Sequence, residues 1–109
     1  MSQATAKPWA SLKTEQTDEV EALLRKEFPG TDAYRYNSAS IRVRVIDKRF
    51  EGKSDQERDS MVEPFLERLP IEIQADIMNL LTLAPGEEKA PLRKSLANLE
   101  FEEPSPTSL

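Results

Sequence analysis

The chain has 109 residues, 38% of them hydrophobic and 32% charged, and its 15 Lys and Arg against 20 Asp and Glu give a net charge of −5. That length fits one domain with one modest core, and no apolar run approaches the roughly 20 residues of a membrane-spanning helix. The absence of both Cys and His removes disulfides, thiolate clusters, cysteine nucleophiles, the commonest metal ligand and the usual general base near neutral pH.

Residues 1–13 (MSQATAKPWASLK) hold two lysines, Lys7 and Lys13, with no apolar stretch after them. They are read as a flexible arm and not as a secretory signal. Trp9, the sole tryptophan, sits on that arm. Thr17 to Phe28 is the first predicted helix. Val20, Leu23, Leu24 and Phe28 fall at i, i+3, i+4 and i+8, which makes one apolar stripe. Thr17 is the expected N-cap, and Asp18, Glu19 and Glu21 suit the positive end of the helix dipole. Pro29-Gly30 stops the helix and turns the chain.

Thr31–Tyr36 and Ser40–Ile46 read as two strands of an antiparallel hairpin about an Asn37-Ser38 turn. In the second strand Ile41, Val43 and Val45 face one side, and Arg42 and Arg44 face the other. Phe50–Ser54 is a connector in which Gly52 offers a backbone angle that residues with a Cβ reach poorly. Asp47 is expected to form the turn at the strand end. Ser54 and Glu57 form a capping box that starts a helix with Met61, Val62, Phe65, Leu66 and Leu69 as its apolar positions. Pro64 removes a hydrogen bond from that helix and clashes with the Ser60 carbonyl, at about 3 kcal/mol. A kink or short break is expected at Ser60–Glu63.

Ile71–Leu83 is ambiguous. Ile73, Ile77, Leu80 and Leu81 suit a helix, whereas the run Ile77–Leu83 suits a buried strand. Ala84-Pro85-Gly86 is a turn. Glu87–Asn98 is the last predicted helix, with Leu92, Leu96 and Leu99 at helical spacing. Phe101–Leu109 reads as an acidic, proline-bearing extension. The expected division is an arm at 1–13, a domain at 14–99 and a tail at 100–109.

Charge is unevenly placed. Between Arg35 and Arg58, seven basic residues face four acidic ones, so a basic island lies in an acidic chain. Arg42, Arg44, Arg49, Lys53 and Arg58 are therefore the candidate partner-binding residues. The competing reading is a solvated strand face and ordinary helix-surface charge. Gly52-Lys53-Ser54 lacks the glycine a phosphate-binding loop needs five positions earlier, where Asp47 stands. No acid/base pair, catalytic triad or metal-ligand cluster can be assembled, so neither an enzyme nor a bound cofactor is expected. Net negative charge argues against non-specific DNA binding, which needs Lys and Arg to displace counterions.

Ile41–Val62, IRVRVIDKRFEGKSDQERDSMV, resembles the central segment of the BolA-like proteins. The matching positions are Asp47, Phe50, Gly52, Lys53, Ser54, Arg58, Val62, Leu66 and Leu69, and the wider resemblance runs from Glu19 to about Glu88. It implies a single α/β (α+β) domain in the order helix, β-hairpin, helix, strand, helix. The helices are expected on one face of a three-stranded sheet, as in a KH-like domain. It also tips Ile71–Leu83 to a strand. In the family a histidine implied as metal ligand stands at Gln74, within the Ile73-Gln74-Ala75 triplet. That histidine serves when the protein pairs with a monothiol glutaredoxin around a two-iron cluster. The helix-motif histidine and second arginine are here Asp59 and Ser60. An amide is a poor, neutral donor to iron beside imidazole.

The reading that follows is a non-enzymatic BolA-like interaction or regulatory protein, cytoplasmic, with a protein partner and without a cluster. Two alternatives stand beside it. One is an iron–sulfur adapter partnering a monothiol glutaredoxin. The other is a KH-like nucleic-acid regulator using the arginine-rich hairpin, though the Gly-x-x-Gly loop of KH domains is absent.

Overall fold

The computed structural model describes residues 9–89 and 92–103. In chain order the elements are a 3-10 turn at Ala10–Leu12, α1 (Glu15–Arg25), β1 (Thr31–Asn37), β2 (Ser40–Ile46), a 3-10 turn at Lys48–Phe50, α2 (Asp55–Leu66), α3 (Ile71–Asp76), β3 (Ile77–Leu83), a 3-10 turn at Glu87–Lys89 and α4 (Leu92–Glu102). The sheet runs β1-β2-β3. β1 is antiparallel to β2 and β3 is parallel to it, so the expected α/β class and element order hold.

The first helix starts one turn before the expected cap. Thr14, not Thr17, is the N-cap. The Thr17 amide donates to Thr14 Oγ1 at 3.3 Å and the Thr14 amide donates to Thr17 Oγ1 at 2.8 Å. The Thr17 hydroxyl also donates to the Thr14 carbonyl, which leaves it satisfied and able to be buried. The Ser54–Glu57 capping box forms as expected, with Glu57 N–H on Ser54 Oγ and Ser54 N–H on Glu57 Oε1. α2 then runs unbroken through Pro64 to Leu66. Ser54→Ala is expected to lower stability by about 1 kcal/mol, the usual worth of such a cap, read as a shift in the urea midpoint at constant slope.

Two turns depend on glycine. The peptide of Gly30 lies against β2, with Ile46 N–H donating to its carbonyl, and a Cβ there would sit 2.4 Å from the Ile46 oxygen. Gly52 has φ of 75°, in the left-handed region.

The main core lies on the face of Ile41, Val43 and Val45, where Val20, Leu24 and Phe28 pack from the α1 side and Val62 from α2. Arg42 and Arg44 face the other way, as alternation requires, but that face is not open. α4 lies on it, and Trp9, Tyr34 and Phe101 form a second cluster there. Trp9 stacks on Tyr34 and meets Phe101 edge-on. Trp9, read from the sequence as part of the arm, docks on the domain because an indole gains more by covering Tyr34 than by facing water. The expected tail is likewise shortened, since α4 continues to Glu102 and buries Phe101. Residues 1–8 and 104–109 lie outside the described residues.

α4 does not bury two of the three leucines of the stripe read from its sequence. Leu96 and Leu99 are exposed, and the helix is held through Phe101 and by polar contacts of Asn98 and Glu102. Ile71–Leu83 divides between its two readings. Its first half is the short helix α3 and only its second half is strand. Pro70 supplies the break: its carbonyl accepts the first bonds of α3, from the amides of Ile73 and Gln74.

Candidate partner interface

The five basic residues singled out in the sequence do not share one surface. Arg42 and Arg44 are 9% and 5% exposed, and Arg58 is 2% exposed. Arg44 reaches Asp32 at 2.9 Å, Asn98 at 2.7 Å and Glu102, and its guanidinium lies over the Phe101 ring. It fastens α4 to the sheet. Arg58 donates to the Lys53 carbonyl at 2.9 Å and the Thr82 carbonyl at 3.2 Å, and it grips both oxygens of Glu87 at 2.6 and 2.9 Å. That fork draws the Glu87 carboxyl down to about 2, with the Arg58 hydrogen bond as the main cause. These three arginines serve the fold. A docking face was expected of them because strand alternation shows which way a side chain points but not what later covers it.

Arg49 is half-exposed and bonded to Asp47 and Glu27, which lowers the Asp47 carboxyl. Asp47 accepts from the Arg49 amide, the turn-forming role expected of it. Lys53 is exposed. Of the five, Arg49 and Lys53 remain at the surface.

The positions where the resemblance implies metal-related residues are occupied differently. Gln74 on α3 uses its side-chain Nε2 to donate to the Glu67 and Leu69 carbonyls at 3.2 and 2.7 Å. It caps the chain leaving α2. Asp59 has its carboxyl raised, first by partial burial and then by Glu63 and Asp55, and Ser60 donates to the Gln56 carbonyl. Among the described residues no group of three or more His, Cys, Asp or Glu could hold a metal ion. An amide already committed as a donor, with no imidazole or thiolate in the chain, does not fit an iron–sulfur cluster.

The sheet edges differ in how they are protected. In β1, Gly30 pairs inward with Ile46, so Thr31 and Ala33 turn their peptide groups outward. Those groups are taken by side chains. Arg25 donates to the Thr31 carbonyl, Lys13 to the Ala33 carbonyl, and the Ala33 amide donates to buried Glu21. In β3, the Asp47 amide bonds the Leu83 carbonyl, which turns Leu83 and Leu81 inward and Thr82 and Leu80 outward. Arg58 covers the Thr82 carbonyl, and a Lys94–Asp55 pair at 3.0 Å links α4 to α2. Towards Met78, where a register irregularity interrupts the ladder, no such cover is present among the described residues. Met78 is 61% exposed. β3 is also uncharged throughout (IMNLLTL), without the charges or proline that commonly guard an edge. The uncharged run was visible in the sequence. That it stands at an edge was not.

No described helix is long and apolar enough to cross a membrane. No family model matches the chain, and no curated protein matches it. Among solved structures, the solution structure of BolA1 protein from Mus musculus is similar, with a TM-score of 0.57 at 19% sequence identity over 100% of this chain and 86% of that one. The helix–hairpin–helix–strand–helix order, the three-stranded mixed sheet and that full-length similarity agree: this chain has the BolA-like fold.

Proposed function

We propose that this protein is a non-enzymatic, BolA-like interaction module that binds a protein partner without an iron–sulfur cluster, in the cytoplasm. The observation that carries the reading is the unguarded stretch of the β3 edge around Met78 to Leu80, at the end of a sheet whose other edge is covered by side chains at Thr31 and Ala33. An exposed, uncharged edge strand is a ready site for backbone pairing with another chain. Arg49 and Lys53 are the surface members of the five candidate residues and the ones left to contribute contacts. Gln74 in place of a histidine argues for partner binding that does not run through shared metal.

Met78→Lys places a guarding charge on the edge without removing a backbone group from the β2 ladder. A protein captured from native lysate by the unaltered chain, and lost with Met78→Lys while the circular dichroism is unchanged, supports the reading. Equal capture by both removes it. A visible-absorbing complex formed with a monothiol glutaredoxin would return the adapter reading instead.

A further inference from the structure

Arg42 and Arg44 stand two residues apart on the same face of β2, both buried, yet their surroundings differ. Arg44 has two carboxylates, Asp32 and Glu102. Arg42 has none at ion-pair distance among the described residues. Its Nη1 donates to the Tyr34 hydroxyl at 3.1 Å and the Glu100 carbonyl at 3.2 Å. Its guanidinium lies 3.8 Å from the Tyr36 ring centroid; its Nε, like that of Arg44, has no hydrogen-bond partner, so the difference between the two lies in the carboxylates. An arginine stays charged at any pH a protein meets, and buried charges are ordinarily paired. A phenol, a carbonyl and a ring face stabilise the cation without neutralising it.

Arg42 also lines a cavity of about 210 Å³ between β3 and α4, walled mainly by Leu80, Leu81, Ala97 and Phe101, with Asn79 and Glu100 also in its lining. At about 30 Å³ per water that is room for roughly seven waters. It is below the roughly 300 Å³ at which pockets for drug-sized ligands begin. A small, mainly apolar cavity with a buried, under-paired cation in its wall, and with Glu100 bonded to that cation only through its backbone carbonyl, selects a ligand with a single negative charge and a short hydrocarbon tail. We propose that the cavity between β3 and α4 is a binding site for a carboxylate on a short apolar chain, with Arg42 as its counter-charge.

The carboxylate takes the place that Asp32 and Glu102 fill for Arg44, and charge-assisted bonds to a guanidinium are the strong ones. The tail lies against Leu80, Leu81 and Ala97. Two sources offer that chemistry, a small organic acid and the C-terminal residue of a polypeptide.

The probes are hexanoate, 1-hexanol and N-acetyl-leucine, titrated into the full chain. The readouts are the backbone amide NMR signals of Leu80, Leu81, Ala97 and Phe101 and the fluorescence of Trp9, which stacks on the Tyr34 bonded to Arg42. Saturable shifts at those amides with hexanoate, at least about tenfold tighter than with hexanol, are expected. Preference for N-acetyl-leucine over hexanoate assigns the carboxylate to a polypeptide end, and the reverse assigns it to a small acid. Arg42→Met should abolish the difference between hexanoate and hexanol. Because that variant removes a buried group and can fail to fold, Ala97→Phe is the second, filling the cavity with Arg42 intact, and it should abolish binding of all three probes. Hexanol binding as tightly as hexanoate, no saturable shift at the cavity amides, or hexanoate binding unchanged by Ala97→Phe overturns the proposal.

Discussion

Arg58→Met should destabilise the protein by about 3 kcal/mol or more, the cost of breaking a buried ion pair from one side. The arginine ties the start of α2, the end of β3 and the turn after it through Lys53, Thr82 and Glu87. Methionine matches its apolar stem but leaves the Thr82 carbonyl without its donor and Glu87 without its guanidinium. Glu87 keeps the bond from the Ala84 amide and a looser pair with Lys94 at 3.9 Å, so Arg58→Met with Glu87→Gln should recover only part of the loss. The pair also predicts a pH dependence. The folded state holds the Glu87 carboxyl at about 2 against an ordinary 4.5. A depressed carboxyl contributes stability that is complete above its unfolded value and is lost as pH falls towards its folded value. The unaltered protein should therefore lose this contribution between about pH 5 and pH 2, and Arg58→Met should lack that part of the acid limb. Urea midpoints at a series of pH values measure both effects. Equal acid limbs in the two proteins would show that the Arg58–Glu87 fork is not their source.

Arg44→Glu should be as damaging, at about 3–5 kcal/mol, and more local in its signature. It would place a third carboxylate with Asp32 and Glu102 beneath α4, where a cation now binds both. The helix is expected to leave the sheet, exposing Phe101 and Trp9, so the Trp9 emission should move to the red before global unfolding. Arg49→Glu is the control. Arg49 is half-exposed, and a surface pair is worth about 1 kcal/mol or less, so that variant should stay close to the parent. If Arg44→Glu also stayed close, the arginine would be a surface residue after all, and the notion of α4 as a fastened cover would fall. A reading from the sequence alone takes Arg42→Glu with Arg44→Glu for a binding variant that spares the fold. The structure reverses that expectation, because Arg44 is consumed inside the chain.

The comparison of the two arginine pairs shows where sequence reasoning stops. Alternation in IRVRVI placed Arg42 and Arg44 correctly on one face. Their burial depended on Asn98 and Glu102, more than fifty residues later, and on Trp9 near the start. No local pattern links those positions. The Arg58–Glu87 fork is of the same kind, with 29 residues between partners. By contrast, the Ser54–Glu57 box was legible because both partners lie within one turn. Thr14 was missed for a related reason: a Thr-x-x-Thr pair caps as Ser-x-x-Glu does, but its second residue lacks the acidic side chain that marks the pattern. The leucines of α4 misled because helical spacing identifies a stripe and not the surface it meets.

Local chemistry in the sequence was enough for the hairpin, its register of apolar and basic residues and the start of α2, since each rests on contacts within a few residues or on alternation of period two; the element order came from the resemblance. Composition also settled that imidazole and thiolate chemistry are absent. Only the tertiary structure decided which residues are surface. It split Ile71–Leu83 into helix and strand, put α4 on the arginine face, sealed the β1 edge with Glu21, Lys13 and Arg25, and left part of the β3 edge open. The physical reason is that burial and pairing of a charge are set by whatever packs against it, and here those partners come from distant parts of the chain.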